Sequence, residues 1–306
     1  SLNENATLNT KGQSVTFVYV DSTQGWINTM DSTSNVRGTN PYIVATGGTI
    51  LTCGNFKTHV FTGPGTFCVS SAGLSRSSCN GDNRLDYFVV GGAGAGGGPS
   101  GNPSSTGGGG GAGGFRLSNA YSISAPTMSP LATPTSLTAS VAGIPVTVGA
   151  GGSGSGPYPG RNGNNSVFST ITSALGGTGG DNRPSSPATD RSAGPGGSGG
   201  GASGGNGIIG TGNTPPVSPP QGNNGGSGHD GTTVNTNGGG GGGAAAVGAN
   251  ASSANGGNGG IGSFIADGFI GPTAPSYGTA GPVSSVRYFS GGGGGATNGS
   301  PNNPGC

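Results

Sequence analysis

Apolar and polar positions along this chain follow one pattern up to residue 90 and another after it. The first stretch holds short runs rich in Val, Tyr, Phe and Thr at 14–21 (SVTFVYVD), 42–46, 49–53, 57–62, 66–70 and 85–90 (LDYFVV). Such runs suit a pleated, half-buried surface and predict strands. Gly63, Pro64 and Gly65 between two of them predict a turn. No window shows a helical period, and the chain has a single Glu among few helix formers.

After Val90 the apolar pattern gives way to glycine blocks at 91–98, 107–114, 149–156, 176–180, 194–207, 238–243, 256–262 and 291–295. Segments with Pro, Asn, Ser, Tyr and Arg separate them. The spacing has no fixed period, so neither collagen nor a solenoid of constant repeat length fits. Consecutive glycines suit an extended helix of three residues per turn, rising about 3.1 Å per residue without internal hydrogen bonds. Such helices, bare of side chains, can approach closely and bond to one another on all sides, which meets the demand that buried backbone groups be paired. The expected fold is an all-β N-terminal module followed by a sandwich of polyglycine II helices, with essentially no α-helix. The expected divisions are a β segment at 1–40, a small β module at 41–92 and the polyglycine II region at 93–306.

Composition sharpens this. Gly and Pro make up 97 of the 306 residues, and Leu, Ile, Val and Phe together only 48. That is too little for a large oily core. Disorder normally accompanies net charge, yet the net charge is +1. The ten basic residues are scattered, which argues against nucleic acid. No apolar run is long enough to insert into a membrane, and no signal-peptide pattern opens the chain.

The chemistry-bearing motifs are weak. Residues 92–97 fit G-x-G-x-x-G after a predicted strand, but no helix-forming sequence follows, so no nucleotide cofactor is expected. The two histidines, His59 and His229, fall in different regions and predict no metal site. Neither a nucleophile elbow nor a placed carboxylate pair is present, so no catalytic residues and no enzyme activity are expected. Of Cys53, Cys68, Cys79 and Cys306, a Cys68–Cys79 disulfide would close a Ser-rich loop and imply an oxidising setting. Cys53 is an alternative partner for Cys68, and free thiols in a β core are a third reading.

Several words of the chain resemble the glycine-rich tail-fibre and adhesin proteins of tailed bacteriophages, particularly of marine phages. They are SVTFVYVDSTQGWIN (14–28), ATGGTILTCGNFKTHVFTGPGTFCVSSAG (45–73), LDYFVVGGAGAGGG (85–98), GGGGGAGGFR (107–116), IPVTVGAGGSG (144–154), NGNNSVFSTITSALGGTGG (162–180) and SYGTAGPVSSVRYFSGGGGGA (276–296). The resemblance implies an extracellular, virion-surface protein that binds a glycan or protein on the host cell. In related T-even-like adhesins the loops joining polyglycine II helices contact the receptor. The word around Trp26 resembles fibre-stem repeats, which are commonly homotrimeric and join other tail or fibre proteins. The segment 74–84 departs from the family's usual short connection.

Loops held by a stiff scaffold are where binding usually resides. The candidates are 157–163, 181–191, 214–221 and 267–277. Within them Tyr158, Arg161, Asp181, Arg183, Arg191 and Tyr277 are the expected receptor contacts, Tyr and Arg being enriched where few residues carry the binding energy. A purely architectural fibre, capsid or filament component is the competing reading.

Overall fold

The computed structural model describes residues 14–22, 25–31, 42–54, 56–74, 82–98, 106–124, 127–154, 160–181, 191–230 and 236–297. The predicted strands form at Val15–Asp21, Ile43–Thr46, Thr49–Cys53, Phe56–Val60 and Gly65–Ala72, and the run at 85–90 splits into Arg84–Leu85 and Phe88–Val90. The only α-helix among the described residues is one turn, Asp267–Ile270. Val15–Asp21 pairs antiparallel with Gly25–Asp31 as a two-stranded hairpin.

The glycine region is a lattice of polyglycine II helices, and its hydrogen bonds carry the three-residue signature. Gly91, Gly94 and Gly97 donate to the carbonyls of Gly114, Gly111 and Gly108, which marks antiparallel neighbours. Gly176 and Gly179 donate to Gly92 and Ala95, which marks parallel ones. Successive residues of one segment bond to different neighbours because each step turns the chain by a third of a revolution. Segment 236–244 lies at the centre, ringed by 106–114, 197–203, 221–230, 246–251, 255–262 and 290–297. Every residue of 238–243 both donates its N–H and accepts at its carbonyl. A Cβ added at any of these six glycines would collide with a neighbouring backbone carbonyl, for example Asn258 O at Gly240. Each such bond contributes about 0.5–1.5 kcal/mol net. It is their number that offsets the ordering of a glycine chain.

At its margins the lattice is closed by side chains. The N–H groups of Leu175 and Thr178, three residues apart on one outer edge, donate to Asn165 Oδ1 at 2.8 Å and Asn162 Oδ1 at 2.9 Å. Asn224 Oδ1 accepts from Gly212 and Asn250 Oδ1 from Ser227, each at 2.8 Å. Exposed edges of backbone donors would otherwise template further pairing.

One end of the lattice is a layer of β-structure. Phe88–Val90, Ala142–Thr147, Ile171–Ser173 and Val286–Phe289 each run directly into a glycine segment, and glycine segments run into Phe115–Ser118, Ser166–Phe168 and Ser263–Ala266. Strand and stave are thus continuous in the chain at residues 90–92. Gly65–Ala72 pairs with Ala142–Thr147 in a five-stranded sheet that also holds Ile43–Thr46, Ser166–Phe168 and Ile171–Ser173. The later strands escaped sequence analysis because they are only two to six residues long.

Two small oily clusters sit in this layer. In one, Phe115, Leu117, Met128, Ile265 and Ile270 are buried, with the Phe88 ring 5.0 Å from Phe115 and 4.9 Å from Phe289. The other holds Ala45, Phe67, Val69 and Val146. His59 belongs to it structurally: its ring lies edge-on to Phe67, and Nδ1 donates to the Gly47 carbonyl at 2.8 Å. Burying an aliphatic or Phe side chain is worth about 1.5–3 kcal/mol, so these clusters lock the layer that anchors the staves.

A polar pin joins the layer's strands. Arg84 donates to both carboxylate oxygens of Asp82 and, through Nη1, to the Ala120 carbonyl at 2.9 Å, while its guanidinium lies 4.3 Å from the Tyr121 ring centre. The hydrogen bond from Arg84 holds the Asp82 carboxyl down at about 2. Because the folded value is depressed, the stabilisation is fully present above the unfolded value of about 4 and is lost as pH falls through the folded one. We expect the melting temperature to drop between about pH 4 and pH 2, with the Asp82→Asn variant losing less over that window. A wild-type and variant drop of equal size would remove Asp82 as the cause.

Candidate functional site: the loop-bearing end of the lattice

The described lattice segments end at 98, 154, 181 and 230 and resume at 106, 160, 191 and 236. All of these points lie at the end away from the β layer. Hydrogen bonds tie them together: Gly97 to Gly108, Arg161 to Ser153, Gly180 to Gly201, Ser203 to Arg191, and His229 with Asn237 in both directions. The intervening stretches, 99–105, 155–159, 182–190 and 231–235, lie outside the described residues. The turn at 204–207 is at the same end. Gly204 there has φ +67, and a Cβ would meet the Asp230 carboxylate.

A collar of polar groups fixes the bases of these connections. Ser203 Oγ donates to the Thr106 carbonyl at 3.0 Å, and Asn237 Nδ2 donates to the Ser252 carbonyl at 2.7 Å. Asp181 forms an isolated antiparallel bridge with Gly107, and Ser203 forms one with Gly238. Arg191 Nη1 reaches Asp230 Oδ2 at 3.4 Å, both side chains being partly exposed. That pair links the re-entry point at 191 to the exit point at 230, 39 residues further along the chain.

The sequence-predicted contacts divide between the two ends. Arg161 is here, with an exposed side chain and its backbone bonded to Ser153 and Ala95. Arg191 is here too, but half-buried against Asp230. Asp181 is at this end yet only 1 % exposed, so it belongs to the foundation rather than to an open loop. Tyr158 and Arg183 lie outside the described residues. Tyr277 is at the opposite end, packed against the Phe115 cluster, and its carbonyl accepts from Arg287 Nε at 2.8 Å. The stretch 214–221 also adjoins the β layer: Gln221 is 1 % exposed, and its carbonyl accepts from Phe115 N–H. Both were expected to be binding loops because Pro and Tyr between glycine blocks look alike at either end of a stave.

Cys53 and Cys68 are exposed and carry free thiols in the structure, and Cys79, the expected partner of Cys68, lies outside the described residues. Cys68 sits mid-strand with its register partners Gly143 and Thr46, where the β layer holds it as an ordinary strand residue. Among the described residues no three His, Cys, Asp or Glu side chains come together to hold a metal. No helix among them is long and apolar enough to cross a membrane. Sequence reasoning missed Thr106, Ser203, Asp230 and Asn237. Thr106 and Asn237 carried a signal of position, each directly preceding a glycine block, whereas Ser203 lies within one and Asp230 between two.

No curated protein and no solved structure matches the chain significantly. A family model does, and the strand-to-lattice architecture is the setting in which its glycine pattern makes physical sense. The match covers residues 70–306, by which the chain belongs to the glycine-rich domain family.

Proposed function

We propose that this protein is a virion-surface fibre component, an adhesin of the bacteriophage tail-fibre type, that presents its lattice-end connections to a glycan or protein on the host cell. The observation that carries the reading is the segregation of the connections. The connections spanning 99–105, 155–159, 182–190 and 231–235 all start and finish at one end, while the apolar clusters and short strands occupy the other. A scaffold whose bonds are mainly backbone-to-backbone leaves the sequence of such connections free to vary, and binding generally resides on loops held by a stiff frame.

The test is adsorption blocking. Purified protein is expected to compete with the parent particle for host cells in a dose-dependent way. Particle uptake that stays unchanged at saturating protein would leave the architectural reading in its place.

A further inference from the structure

Among the described residues, segment 106–114 has five bonded neighbours, arranged in order around it as 91–98, 174–181, 197–203, 236–244 and 290–297. Each is bonded to the next: Gly176 to Gly92, Gly177 to Ser198, Gly242 to Gly199, and Gly241 to Gly293. The first and last have no bond to each other among the described residues. The roles alternate around the ring. Segment 91–98 donates to the central segment, 174–181 accepts from it, 197–203 donates, 236–244 accepts and 290–297 donates. The missing sixth position is thus one to which the central segment itself would donate.

The donors for that position exist. Gly108, Gly111 and Gly114 give their N–H groups to 174–181, and Gly109 and Ala112 give theirs to 236–244. The third set, Gly107, Gly110 and Gly113, has no acceptor among the described residues, although all three glycines are buried. Buried backbone N–H groups are almost always paired. On the opposite outer edge the equivalent donors, Leu175 and Thr178, are capped by asparagine side chains. No described side chain caps this one. The carbonyls of Gly91, Gly94 and Gly97 on the neighbouring segment likewise receive no N–H from a described residue. Gly96 and Gly293 flank the gap, and both are exposed.

We propose that this groove, floored by 106–114 between 91–98 and 290–297, binds a glycine-rich segment of a partner chain in the polyglycine II conformation. The spacing of donors, one every third residue, reads a helix of three residues per turn. The carbonyls on the wall require that the incoming strand supply N–H groups, so a polyproline helix of the same shape fails. The floor positions Gly107, Gly110 and Gly113 and the flanking Gly96 and Gly293 carry no side chains, which suits a strand that approaches as closely as glycine does.

The probe is a soluble peptide of six glycines flanked by lysines, titrated against the full chain. It is expected to bind and to slow amide exchange at Gly110 and Gly113. A peptide with six prolines in place of the glycines is expected to bind at least about tenfold more weakly. Gly96→Leu puts a side chain into the groove from a position where a Cβ would lie 3.5 Å from its nearest neighbour, an ordinary contact. It is expected to keep the melting temperature and to weaken peptide binding by at least about tenfold. Should it misfold, Gly96→Ala with the same readout takes its place. Failure of the glycine peptide to bind, equal binding of the proline peptide, or undiminished binding by the folded variant would overturn the proposal. So would self-association of the purified chain that Gly96→Leu abolishes, because the occupant would then be a second copy.

Discussion

Gly240→Val is expected to leave no folded lattice: loss of the cooperative thermal transition, with aggregated or unfolded protein in gel filtration. Gly240 donates to the Ala249 carbonyl, accepts from Gly226, and has the Asn258 carbonyl where a Cβ would go. An oily core can shift side chains to absorb an extra methyl group at about 1–3 kcal/mol. Here the obstacle is backbone on every side, and moving one stave breaks bonds to six others. The cost should exceed about 4 kcal/mol, the range kept for single changes with no room to relax. Gly154→Val is the control, because nothing lies within 4 Å of its added Cβ. If Gly240→Val melted like the wild type, the hydrogen-bonded lattice could not be what holds the region together.

Replacing residues 182–190 with a Gly-Ser linker of equal length should abolish competition for host cells and leave the melting temperature within about 2 °C of wild type, as surface changes away from the core do. The lattice bonds at Gly180, Gly201 and Ser203 stay in place, and the Arg191–Asp230 contact still closes the base. Arg183→Ala is the finer version, with a partial loss of adsorption at unchanged stability. Full adsorption by the linker variant would move recognition to the other connections at that end. A large stability loss would make 182–190 part of the frame.

Much of the fold was legible because glycine blocks admit few ordered structures. The threefold conformation followed from the need to pair backbone groups when no side chains exist to do otherwise. Strands up to residue 90 were legible in their Val, Tyr and Thr runs, except Gly25–Asp31 (GWINTMD), which has no such run. What sequence could not supply was direction. Nothing in 214–221 (TPPVSPPQ) or in 267–277 distinguishes a turn at the β layer from one at the free end. That depends on whether a stave is traversed upward or downward, which only the register of bonds such as Phe115 to Gln221 decides. The burial of Asp181 was hidden for the same reason. It lies one residue past a glycine block, and the lattice extends far enough to enclose it.

The three-residue rhythm also sets what changes in chain length the lattice can absorb. Removing one residue from a stave would rotate everything beyond it by a third of a turn, aiming each donor at the wrong neighbour. Removing three would return every donor to its own partner and merely shorten the rod. Length changes that preserve the lattice therefore come in threes within the staves, a restriction that the connections between them do not share.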